Sequence, residues 1–166
     1  MSHYLFLPPF LYIAALVDTS FGPALELGGV APDALALVAI VWSLVASSQR
    51  GPLAAGAAGF ASDLVSTGRL GTGLFCFALA GYALSELRAR FGIRRSLALS
   101  LCAWPAATFM VLGPAVMRRA LGEVDVDWTM LVCRGLEVSA YTAAAVTPVL
   151  FAVAAARRIG RQRRWV

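Results

Sequence analysis

Apolar residues run along this chain in long blocks, and short segments between the blocks hold most of its charges. The blocks predict six membrane-spanning helices, over about 4–21, 32–48, 52–67, 70–87, 96–117 and 128–156, forming one transmembrane domain across residues 1–166. Pro8-Pro9 kinks the first block, which ends at Asp18, and the glycines and proline between Phe21 and Ala31 predict a loop. Pro32-Asp33 reads as a helix start, because proline tolerates the first turn and the acid faces the positive end of the helix dipole. Gln49-Arg50-Gly51-Pro52 reads as a tight turn, and Pro52 opens the third block. Pro105 and Pro114 fall inside the fifth, where a membrane helix tolerates them if neighbours satisfy the freed carbonyls.

The third block is rich in glycine and alanine and carries one acid. At 100° per residue, Gly51, Ala55, Gly59 and Asp63 form a ladder of small residues on one face that ends in a carboxylate. Such a ladder predicts a close helix contact, within the bundle or with a partner helix. An ionisable group within a span is costly and invites a functional reading. Asp63 has two: an ion pair with Arg69 across the following turn, or an address for a partner or ligand. Arg134 and Glu137 in the sixth block are spaced to share one helix face, and are expected to form an intramembrane ion pair turned into the bundle.

Composition narrows the class. With 60% hydrophobic residues, 14% charged and a mean hydropathy of +0.76, the chain is far more apolar than a soluble domain and reads as an integral membrane protein. Every basic residue other than the single histidine is arginine, so no lysine is present for a phosphate loop or a Schiff base. The net charge of +5 comes from arginines that flank apolar blocks with no aromatic platform between them, which argues against nucleic acid. Cys76, Cys102 and Cys133 lie in apolar blocks without metal spacing, and His3 stands at the N-terminal edge, away from any nucleophile. The chain is therefore expected not to be an enzyme and to use no metal or cofactor.

Arginine placement predicts orientation. Arg50, Arg88, Arg90, Arg94, Arg95 and the C-terminal arginines from Arg157 to Arg164 fall on the side of the termini. Arg69, Arg118 and Arg119 fall on the other. The positive-inside rule then puts both termini of a multi-pass membrane protein in the cytoplasm.

Pro32-Asp33 opening an apolar block, Gly59-Phe60 followed by Asp63, Leu70-Gly71 opening a block that carries Tyr82, and an arginine-tipped end after Pro148 together resemble the rod shape-determining protein MreD family. The order and spacing of these motifs carry the resemblance, best over Pro32 to Leu87. It implies a non-enzymatic scaffold subunit of the machinery that elongates the lateral cell wall and maintains cell shape. The implied partners are an MreC-type one-span protein and, in a larger assembly, RodA, penicillin-binding protein 2 and MreB. That family is similar in fold to the substrate-binding subunits of energy-coupling-factor transporters, so the expected fold is an all-α six-helix bundle. The alternative function is a vitamin-type substrate-binding transport subunit, and Trp42, Tyr82, Trp104 and Tyr141 are the aromatics that could line its pocket.

Overall fold

A computed structural model describes residues 7–21, 30–45, 50–66, 70–91, 96–123 and 125–162. These residues form six α-helices and no strand: α1 (Leu7–Leu16), α2 (Ala34–Val45), α3 (Gly51–Val65), α4 (Thr72–Phe91), α5 (Ser96–Ala120) and α6 (Trp128–Gln162). A π-helical turn, Val17–Phe21, continues α1 and carries Asp18 at its start. Residues 4–6, 46–48 and 67 of the expected spans, and the positions of His3, Glu26 and Arg69, lie outside the described residues.

Helix lengths separate the six into two groups. At 1.5 Å per residue, the 12 residues of α2 and the 15 of α3 reach about 18 and 22 Å. A hydrocarbon layer is about 30 Å thick. Two stretches are long and apolar enough to cross it by themselves, Leu101–Ala120 of α5 and Trp128–Ala152 of α6. The 20-residue α4 carries Arg88 and Arg90 in its last turn, which lowers its mean hydropathy.

The core gathers around α2, which packs against every other helix. Its buried side chains are Ala36, Ala39, Ile40 and Leu44 from α2, Ala55 and Ala58 from α3, Phe77, Ala80 and Leu84 from α4, Ala103, Ala107 and Met110 from α5, and Val146 from α6. Alanine predominates because lipid does not drive helices together as water does, so cohesion comes from close approach of backbones. Successive helices run antiparallel: α4 starts beside the end of α3, Arg118 near the end of α5 bonds Thr72 at the start of α4, and Thr108 of α5 bonds Ser139 of α6.

The ends of α3 and α5 are set locally. Ser66 leaves α3 in an extended conformation while its N–H still reaches Ser62 O at 3.0 Å. Beyond α5, Gly122 takes φ +73, a left-handed conformation that costs glycine little. The Glu123 N–H then bonds Arg118 O and the Gly122 N–H bonds Arg119 O, each at 3.0 Å, closing the helix in a Schellman motif. This stop fixes the position of Arg118.

Candidate functional site

The polar groups of the interior concentrate at the end of the bundle where α3 finishes, α4 begins and α5 finishes. Asp63, in the last turn of α3, is 1% exposed although it is an acid, so its charge has to be met inside the protein. It is met by the start of α4. Asp63 Oδ2 accepts the N–H groups of Gly71 (2.8 Å) and Leu74 (3.1 Å), and Oδ1 accepts that of Gly73 (2.9 Å). A helix start leaves such donors without intrahelical partners and bears the positive end of the dipole, and here a carboxylate from the preceding helix supplies the cap. Gly71 has φ +111, which lets the chain turn its N–H onto the acid.

The counter-charge comes from α5. Arg118 Nη2 lies 3.1 Å from Asp63 Oδ1 and donates to Ser66 Oγ at 2.7 Å, while Arg118 Nε donates to Thr72 Oγ1 at 3.3 Å. The Thr72 hydroxyl in turn points at Asp63 Oδ1 over 3.5 Å, and that of Ser66 donates to Asp63 O at 3.2 Å. One carboxylate thus ties three helices together. Both of its oxygens are occupied by donors of its own chain, an arrangement that holds helices and leaves little acceptor capacity for a substrate.

Asp63 pairs with Arg118, and its expected pairing with Arg69 lies outside the described residues. The start of α4 lies against the acid, and the antiparallel α5 brings its last turn to the same height.

The small-residue ladder faces inward. Gly51, Ala55 and Gly59 are all buried, against α4 and, for Gly51, also Ser43 of α2. A Cβ added at Gly59 would lie 2.5 Å from Gly73 O and 2.7 Å from Phe77 Cβ, and one at Gly51 would collide with the Ser85 hydroxyl. Gly81 of α4 returns the contact on Ala55. The ladder is a contact within this chain, so it is not a face open to a partner helix.

A pair of carboxylates caps α2. Asp18 Oδ1 and Oδ2 accept the N–H groups of Ala34 (2.7 Å) and Leu35 (3.1 Å), and Asp33 Oδ1 accepts that of Ala36 (2.8 Å). The Asp33 N–H donates to Thr142 Oγ1 of α6 at 3.0 Å, fastening α2 to the last helix. Asp33 was legible as a helix start. The part played by Asp18 was hidden, because it acts 16 residues further along the chain.

Arg134 and Glu137 differ from expectation: both are exposed on α6 and neither turns into the bundle. Ser139 and Thr142 take the inward face there. Tyr82 and Trp104 are exposed, and Trp42 and Tyr141 are half-buried, so the four aromatics do not converge on one buried site. Between α4 and α5 runs an open groove of about 700 Å³, lined by apolar side chains such as Phe75, Trp104, Phe109 and Val116. The groove lacks the few convergent polar groups that orient a small polar ligand. Among the described residues, no group of three or more histidines, cysteines or acids stands where it could hold a metal ion.

The described residues form an all-helical bundle with an alanine-rich core, a buried polar staple and two helices long and apolar enough to cross a bilayer. The family described as rod shape-determining protein MreD matches residues 2–155, nearly the whole chain, and the chain belongs to that family. It is thus a membrane protein of the cell-shape class. No curated protein and no solved structure matches it, so the expected likeness to energy-coupling-factor subunits is without support.

Proposed function

We propose that this protein is a non-enzymatic scaffold subunit of the bacterial wall-elongation machinery. All six helices lie in the inner membrane, both termini are cytoplasmic, and the protein holds an MreC-type one-span partner in place. RodA, penicillin-binding protein 2 and MreB belong to the same larger assembly. The observation that carries the reading, beside the family match, is the way Asp63 is used. The buried Asp63 carboxylate accepts hydrogen bonds from the start of α4 and an arginine from α5, so this polar group of the interior is committed to architecture. Among the described residues little lies outside the helices, which makes shape and helix faces the means of recognition. The arginine-rich flanks on the side of the termini support the orientation.

Purification from native membranes in mild detergent tests the reading. The MreC-type partner should co-purify, and depletion in a rod-shaped host should give rounded cells. Retention of a vitamin-sized molecule together with an ATPase-linked transporter module, and no MreC-type protein, would overturn it.

A further inference from the structure

The groove between α4 and α5 extends beyond its widest part. A second stretch of about 300 Å³ continues it, and the two share Pro105 and Phe109 as walls. Together they run from Phe75 to Leu87 on α4 and from Cys102 to Met117 on α5. At 1.5 Å per residue those limits lie about 18 and 22 Å apart. The two ends of the groove differ in charge. On α4, Leu79, Ala83 and Leu87 line it at intervals of four residues, and Arg90, three residues further on, falls on the same helix face. On α5 the lining stripe of Phe109, Gly113 and Val116 is continued by Ala120, while Arg118 is drawn to Asp63. Thr72, beside that acid, stands about 27 Å from Arg90 along α4, close to the thickness of a hydrocarbon layer. Arg90 therefore sits at the membrane surface opposite the Asp63 junction.

We propose that this groove binds an anionic phospholipid, with one acyl chain laid between α4 and α5 and the phosphate on Arg90. Length, volume and charge select this occupant. The chains of one leaflet span about half of a layer about 30 Å thick, so the groove takes a whole chain. A helix 20 Å long and 10 Å across occupies about 1,600 Å³, more than the stretches of about 700 and 300 Å³ hold together, so a slender chain fits where a partner helix does not. The Thr108 hydroxyl, on the lining, bonds Trp104 O of its own helix, which keeps the walls suited to hydrocarbon. The Arg90 side chain is 79% exposed and reaches Glu86 only at 3.9 Å. So exposed a pair is weak, and a guanidinium has five donors, which leaves it able to meet a phosphate. The site goes beyond the scaffold reading and does not depend on it.

The test uses the full chain in mild detergent and two lipids with the same brominated acyl chains, phosphatidylglycerol and phosphatidylcholine. Trp104 lines the groove, so bromine on a chain lying there should quench its fluorescence. The part of the quenching that Trp104→Phe removes reports the groove alone. Phosphatidylglycerol should reach half-quenching at about a fivefold lower mole fraction than phosphatidylcholine, and Arg90→Gln should erase the difference. Ala83 is exposed midway along the stripe, so Ala83→Phe should reduce quenching by both lipids without entering the core. The wild-type comparison stands even if a variant fails to accumulate. Equal quenching by the two lipids would mean ordinary boundary lipid and would overturn the proposal. So would a preference for phosphatidylglycerol that survives in Arg90→Gln. Absence of Trp104 quenching while an MreC-type protein stays bound would give the groove to that partner, which sinks this inference and leaves the scaffold reading intact.

Discussion

The α3–α4 and α5–α6 hairpins join neighbouring antiparallel helices by opposite means. In the first, backbones touch: Gly59 meets Gly73 O and Phe77, Gly81 meets Ala55, and a buried carboxylate locks the open end. In the second, longer helices meet through side chains. A Cβ at Gly135 would meet only the flexible end of Leu112, and a hydroxyl pair, Thr108 to Ser139 at 3.2 Å, crosses between them. Much of the first half of α6 remains exposed, with Met130 at 58% and Leu136 at 46%. The first hairpin spends its sequence on internal fit, and the second leaves a helix face exposed.

The largest effect should come from breaking the lock. Asp63→Ala removes the acceptor for three N–H groups at the start of α4 and leaves Arg118, whose side chain is 17% exposed, without its acid. Removing one partner of a buried pair costs about 3–5 kcal/mol, enough to unfold many proteins. Thermal unfolding in detergent should fall sharply, and Arg118→Ala should show a related loss because both variants open the same junction. Wild-type stability in Asp63→Ala would mean that the carboxylate is not what ties the hairpin to α5.

Gly59→Leu should follow. The new side chain has to push against the backbone of α4, which cannot swing aside as a side-chain tip can. Overpacking of this kind costs about 1–3 kcal/mol. Unfolding curves that superimpose on the wild type would show that α3 and α4 do not pack backbone to backbone.

The contrast was half legible in the sequence. Apolar blocks and turn residues pointed to an all-helical six-helix bundle, and Asp63 stood out because an acid among alanines and glycines has to be answered. Arg118 could not be picked out as the answer, because the two residues lie 55 positions apart and only the antiparallel return of α5 brings them to one height. Arg69 is the local partner the sequence offers, and it lies outside the described residues. Asp18 was hidden for the same reason: a cap donated to the next helix leaves no short-range signature of the kind Pro32-Asp33 provides. On α6, spacing correctly put Arg134 and Glu137 on one face but could not say which way that face turns. Apolar residues surround the helix on nearly every side, so no polar stripe marks its outer surface.

The smallest effect tests the other half of the comparison. Thr108→Val replaces the hydroxyl between α5 and α6 with a methyl group of similar size. The Thr108 hydroxyl also bonds its own helix at Trp104 O (3.1 Å), and that of Ser139 bonds Leu136 O (2.9 Å), so each has a local acceptor. Losing the interhelical bond then leaves Ser139 Oγ still paired, and the cost should be near the average for such bonds in membrane bundles, about 0.6 kcal/mol. Unfolding in mixed detergent micelles, with Thr72→Val measured beside it, resolves a difference of this size. Thr72 belongs to the Asp63 network and accepts from Arg118, so its loss should be clearly the larger of the two. If Thr108→Val proves as damaging as Thr72→Val, the second hairpin is held by polar contacts as firmly as the first, and the division between a locked interior and an exposed face fails.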